Sequence, residues 1–171
     1  MVKKRIVTVD SSFWVHAVML GTHQDLLDEF DLTLTTAVAD ELGVKLHSPS
    51  SRSGQILKAA LEDRRARILD PFGPLINEFH LGEKTVLSLA LEQPGEIIPL
   101  IDEAKAYQWA VKKKLPVMST PLWLATRAIH LNEDPMLSLS KIKALVQGGH
   151  ISMLVAHEAV IIITTLTKGG S

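Results

Sequence analysis

Residues 2–14 read VKKRIVTVDSSFW. Ile6 to Val9 form an apolar, β-branched run that predicts a strand, and Asp10 ends it. Two serines follow, able to cap a helix through residues 13–20, FWVHAVML, which stops at Gly21. A carboxylate at that point has two readings. It can cap the helix and do nothing else. It can also stand where open α/β sheets keep their sites, just past the carboxyl ends of the strands. The second reading needs other acids at equivalent places.

The alternation continues along the chain. Residues 31–36, DLTLTT, predict a second strand, and residues 37–42 a helix ended by Gly43. Residues 47–54, HSPSSRSG, read as a polar loop, the segment best suited to mobility. Residues 54–69 predict one amphipathic helix carrying Lys58, Arg64, Arg65 and Arg67. Further helices are expected over 81–93, 103–114, 121–130, 138–147 and 152–163. Strands are expected at 95–102, GEIIPLID, and at 115–120, LPVMST. Alternating strands and helices imply an α/β fold, a central parallel sheet with helices on both faces. Right-handed crossovers then bring every strand's carboxyl end to one edge.

Bulk composition narrows the function. The 171 residues suit one domain, 1–171, with closing helices over 137–165 packing on it. Charged residues make up 22% and the net charge is -1, so a nucleic-acid site must be a local patch on a neutral body. Cysteine is absent, which excludes disulfides, thiolate metal sites and cysteine nucleophiles. The apolar run after the basic Met1–Arg5 is cut at Asp10, too short for a signal sequence, and the apolar residues 151–166 include His157 and Glu158. A soluble, cytoplasmic protein is the expectation.

Other acids do recur. Asp102 ends the strand IIPLI, as Asp10 ends its own. Glu41 lies in the helix after the second strand, beside Asp40, and Glu83 in the first turn of the helix after Gly82. Taken singly, each has a structural explanation: a cap, a solvated side chain, or a partner for a helix dipole. Taken together, four carboxylates at one edge repel one another unless a cation lies between them. Hard oxygen donors without cysteine suit Mg²⁺ or Mn²⁺.

The segments VTVDSS, LTTAVADEL and FHLGEKTVLSLALE, followed by IIPLIDEAKAYQWAVKKKLPVMST, resemble the PIN domain family, near the branch related to VapC toxins. That resemblance implies a three-layer α/β/α sandwich and a metal-dependent endoribonuclease acting on single-stranded RNA. It implies that Asp10, Glu41, Glu83 and Asp102 are catalytic and hold Mg²⁺ or Mn²⁺, with Ser11, Ser119 and Thr120 beside them. It also implies the toxin of a VapBC-type pair, with an antitoxin protein as partner. The alternative is a PIN-fold module that binds RNA or protein with little catalysis. Lys105 stands where the family has an arginine, and residues 43–54 match poorly.

Arg64, Arg65 and Arg67, with Lys105, are the expected RNA contacts, against the alternative of a solvated helix face. The run Lys112–Lys114 is expected to complement a helix dipole. His16 and His157 sit in apolar patterns and are expected in the core or an interface. Trp14, Trp109 and Trp123 are expected as core anchors. The helix at 13–20 and the closing helix offer apolar faces for a homodimer or the antitoxin.

Overall fold

The computed structural model describes residues 4–44 and 49–169. Most of the polar segment 47–54 falls among these residues, but positions 47 and 48 lie outside them. The elements run β1 (Arg5–Val9), α1 (Ser11–Met19), α2 (His23–Glu29), β2 (Phe30–Leu34), α3 (Thr36–Glu41), α4 (Arg52–Glu62) and β3 (Ala66–Ile68). They continue α5 (Leu81–Glu92), β4 (Ile97–Leu100), α6 (Ala104–Lys112), α7 (Thr120–His130), α8 (Pro135–Gln147) and α9 (Met153–Gly169).

The four strands form one parallel sheet in the order β3-β2-β1-β4. Helices flank it in a three-layer α/β/α sandwich. Val7, Val9, Leu32, Leu34 and Leu100 leave water completely, and Phe13, Trp14, Leu57, Leu87 and Trp123 close over them. Burial on both faces explains why these strands read as continuous apolar runs. A second core joins α7, α8 and α9 through Leu124, Ile142, Leu145, Val155, Ala156 and Ile163. Trp14 and Trp123 are core anchors, each donating its indole N–H, to Ser53 O and Glu29 Oε2. Trp109 is only half-buried.

Two sequence expectations need correction. Residues 54–69 are not one helix: α4 ends at Glu62 and β3 follows. The turn is a Schellman motif, with Arg64 N–H donating to Leu61 O at 3.1 Å and Arg65 N–H to Ala60 O at 2.8 Å. Arg64 takes the left-handed position at φ 58, where glycine is usual. No glycine marks the break, so the periodicity ran through it. Nor do residues 115–120 form a strand. Met118 makes one isolated parallel bridge to Leu100, its N–H donating to Pro99 O.

No helix among the described residues is long and apolar enough to cross a membrane.

Candidate functional site

β1 and β4 are neighbours in register, Val9 opposite Leu100, so Asp10 emerges beside the segment Ile101–Asp102. Asp10 caps α1, its Oδ1 accepting the Phe13 N–H at 2.6 Å. Its other oxygen accepts the Asp102 N–H at 3.2 Å. Capping and site membership are therefore not alternatives, because one carboxyl group does both. Both aspartates are almost wholly buried. Burial first, then the Asp102 charge, hold the Asp10 carboxyl well above the ordinary aspartate range, with a smaller push from Glu83. The N–H groups of Phe13 and Asp102 pull the other way.

Asp102 is held from three directions. Thr120 donates its N–H to Oδ1 at 2.7 Å and its hydroxyl to Oδ2 at 2.6 Å. His16 Nδ1, on α1, lies 2.7 Å from Oδ2, and the carboxylate must be the acceptor. His16 is buried as expected, but its polar partner lies 86 residues away and no sequence pattern announces it. Its ring also meets His150 edge-on, 5.8 Å between centroids. Glu103, next to Asp102, serves locally by capping α6 through the Ala106 N–H at 2.7 Å. His157, expected in the core or an interface, is exposed.

Glu41 comes to the edge through α3 and α5. Thr35 caps α3, and its hydroxyl shares a 2.7 Å hydrogen bond with Thr85 on α5. This places Glu41 Oε1 against the Gly82 N–H, 3.1 Å away, at the start of α5. A Cβ at residue 82 would lie 2.5 Å from that oxygen, so glycine is what lets the carboxylate approach. The next residue, Glu83, has a buried Oε2 with no hydrogen-bond partner among the described residues. Ser11 is the first residue of α1, and Ser119 caps α7 through the Leu122 N–H.

The structure thus gathers Asp10, Asp102 and Thr120 directly and brings Glu41 to the foot of the helix that carries Glu83. Among the described residues, no three acidic or histidine groups form a ready coordination shell. The donors are nonetheless of the right kind for a hard divalent cation, which keeps several waters and needs only one or two carboxylates. The unpartnered Glu83 oxygen and the repulsion felt by Asp10 are the features a cation would relieve.

The arginines are elsewhere. Arg65 precedes β3 and lies near the amino ends of β1 and β2, while Arg67 lies within β3 in register with Thr33 and turns its side chain back toward Asp31. Arg65 bonds to Gln24 at 2.6 Å and Asp28 at 2.5 Å, and Arg67 pairs with Asp31 at 3.1 Å. With Lys4, Arg64 and Arg65 line a separate cavity there. The expected link between these arginines and the acidic site does not follow from their placement. Lys105 does lie near it, in a cavity lined by Phe79, His80, Glu83 and Glu103 as well. Lys113 sits 5.4 Å from the Trp109 ring centroid at the end of α6. The helix at 13–20 is also less open than expected, since Phe13, Trp14, His16, Ala17 and Val18 all face inward.

A parallel sheet with paired aspartates at its carboxyl edge puts those acids where open α/β folds keep their sites. Residues 19–133 match the family model of the PIN domain, more than half of the chain, and the protein belongs to that family. The match includes Glu41, Glu83 and Asp102 but begins after Asp10, whose place rests on its hydrogen bond to Asp102. No curated protein matches the chain.

Proposed function

We propose that the protein is a metal-dependent endoribonuclease that cleaves single-stranded RNA at the Asp10–Asp102 edge. The observation that carries this reading is the buried aspartate pair joined by the Asp102 N–H, with an unpartnered Glu83 oxygen close enough to perturb Asp10. Asp10, Glu83 and Asp102 would hold Mg²⁺ or Mn²⁺, with Glu41 at the start of α5. When bound, the ion supplies positive charge to the phosphodiester and makes a water acidic enough to attack phosphorus. The chain's own contribution is positioning. Thr120 and His16 fix Asp102, Phe13 fixes Asp10, and Gly82 admits Glu41.

One observation favours the second reading, a PIN-fold RNA- or protein-binding module with little catalysis. Asp102 already accepts hydrogen bonds on both oxygens, leaving fewer lone pairs for an ion. Incubating a labelled single-stranded RNA with the protein, with Mg²⁺, Mn²⁺ or chelator, separates the two. Cleavage with either ion and none with chelator is the expected result. RNA retained without cleavage under all three conditions would replace it with the second reading. The proposed cellular setting is a VapBC-type toxin, as a homodimer, held by an antitoxin protein; the sequence resemblance supports it. Growth arrest on expression, relieved by a small protein encoded next to it, is its test.

A further inference from the structure

Beside Glu83 opens a cavity of about 420 Å³, lined by Phe79, His80, Glu83, Glu103 and Lys105. Its size falls within the range of small-ligand sites. Phe79 holds a left-handed backbone, φ 76, a conformation a bulky residue rarely accepts unless its surroundings enforce it. Its ring is half-buried and braced at 86° to Trp109, with centroids 5.9 Å apart. His80 and Lys105 are exposed at the rim, and Lys105 has no ion-pair or hydrogen-bond partner among the described residues. Glu103 commits one oxygen to the α6 cap, which leaves the other as an acceptor.

The lining discriminates among ligands. A simple anion would meet two carboxylates and gain nothing from an aromatic ring. An apolar ligand would meet four charged or polar groups. A nucleotide uses every element: a base face against Phe79, a phosphate near Lys105 and His80, and a hydroxyl or exocyclic amine toward Glu103. We propose that this cavity seats one nucleotide of a single-stranded RNA, its base stacked on Phe79 and its phosphate held by Lys105. This rests on the nuclease reading for the identity of the strand, but not for the cavity's ability to bind. It also supplies, from one lysine beside the site, the local cation that a neutral chain needs.

The experiment omits divalent ions, so that binding is read apart from cleavage. Adenosine monophosphate and a six-nucleotide single-stranded RNA are titrated into the full chain by calorimetry, with tryptophan emission followed in parallel. Both should bind, and the emission change should vanish in Trp109→Phe. Phe79→Leu should weaken both ligands about 5- to 150-fold, the loss of one base stack, while Phe79→Tyr keeps the affinity. Lys105→Gln should flatten the slope of log affinity against log salt for the RNA by about 0.7. If Phe79→Leu does not fold, Lys105→Gln and the exposed His80→Ala still carry the test, and unchanged RNA binding in both overturns the proposal. Equal affinities for Phe79→Leu and Phe79→Tyr also overturn it. A chain that binds through Phe79 yet cleaves nothing with Mg²⁺ or Mn²⁺ keeps this site and loses the nuclease reading. A chain that cleaves while Phe79→Leu binds RNA normally keeps the nuclease and loses the site.

Discussion

The two ends of the sheet treat their charges in opposite ways. At the amino end, each of these acids has an arginine partner: Asp28 has Arg65, Asp31 has Arg67, and Asp25, Glu29 and Glu133 share Arg127. Most of those groups are partly exposed and all are paired, and their work is to tie α2, β2, β3 and α7 together. At the carboxyl end, Asp10 and Asp102 are buried beside each other with hydrogen-bond donors but no lysine or arginine partner among the described residues. The difference separates a charge that completes a fold from a charge left incomplete by it. Incompleteness of that kind is costly, and it is the feature on which the proposed site rests.

The strongest way to break this comparison is Asp10→Asn. Cleavage should fall by about 100-fold or more, and Mg²⁺ should no longer raise the melting temperature. The pH response gives an independent check. Burial and the Asp102 charge raise the folded pKa of Asp10 above the ordinary 3.8. Its stabilising contribution is then complete below the unfolded pKa and lost as pH climbs through the raised folded value. Without metal, the native chain should melt lower with rising pH over that window, and Asp10→Asn should show a flatter curve. Full activity in the variant would return Asp10 to the status of a helix cap.

Next in size is the amino-end clamp. Arg127 is buried among three carboxylates and lies over the Trp123 ring. Arg127→Met should cost about 1–2 kcal/mol, read by urea unfolding, since it removes the hydrogen bonds of three acids that stay partly in water. The Arg127 hydrogen bond also holds the Glu133 carboxyl below its ordinary 4.5. That part of the stability is present above the unfolded pKa and fades as pH falls through the lowered folded value. The variant should show less of this acid-side loss. Activity per folded molecule should not change, which is how the two ends are told apart.

Gly82→Ala sharpens the comparison within the acidic end. The new methyl group displaces the Glu41 carboxylate from the start of α5, yet alanine suits a helix better than glycine. Melting temperature should hold within a few degrees while cleavage drops about 10-fold. Unchanged cleavage would make Glu41 a helix partner only. The smallest effect is expected from the double change Arg64→Ala and Arg65→Ala. It removes an exposed pair, costs less than about 1 kcal/mol, and leaves the salt dependence of RNA binding untouched. A flatter salt slope would move the RNA path to the amino end.

The acids were legible because their positions follow from topology. Once strands and helices alternate in parallel, Asp10 and Asp102 must share an edge, whatever the loops do. Partners across long separations were not legible. His16 lies in an apolar helical pattern, and nothing in that pattern tells a packed imidazole from one bonded to Asp102. The direction of Arg64, Arg65 and Arg67 was lost for a local reason, the left-handed Arg64 that ends α4 without a glycine. Lys114 does the same at φ 59, where the Lys114 and Leu115 N–H groups close α6 onto Val111 and Ala110. The cavity at Phe79 was hidden because it is assembled from two helix starts and the loop before one of them.

α7 is a wall common to two rooms. Trp123 belongs to the main core, and Leu124 and Ala125 to the one built with α8 and α9. Its first residue, Thr120, is the clamp on Asp102. A fluctuation that peels α8 and α9 away therefore uncovers one side of the helix that fixes the acid. The closing helices then act as a brace on the acidic edge, felt through α7. Amide hydrogen exchange would show it as protection at Thr120 that falls together with protection in α8 and α9 when Ile142→Ala thins their shared core. Protection at Thr120 that stays level would mean the brace is not transmitted.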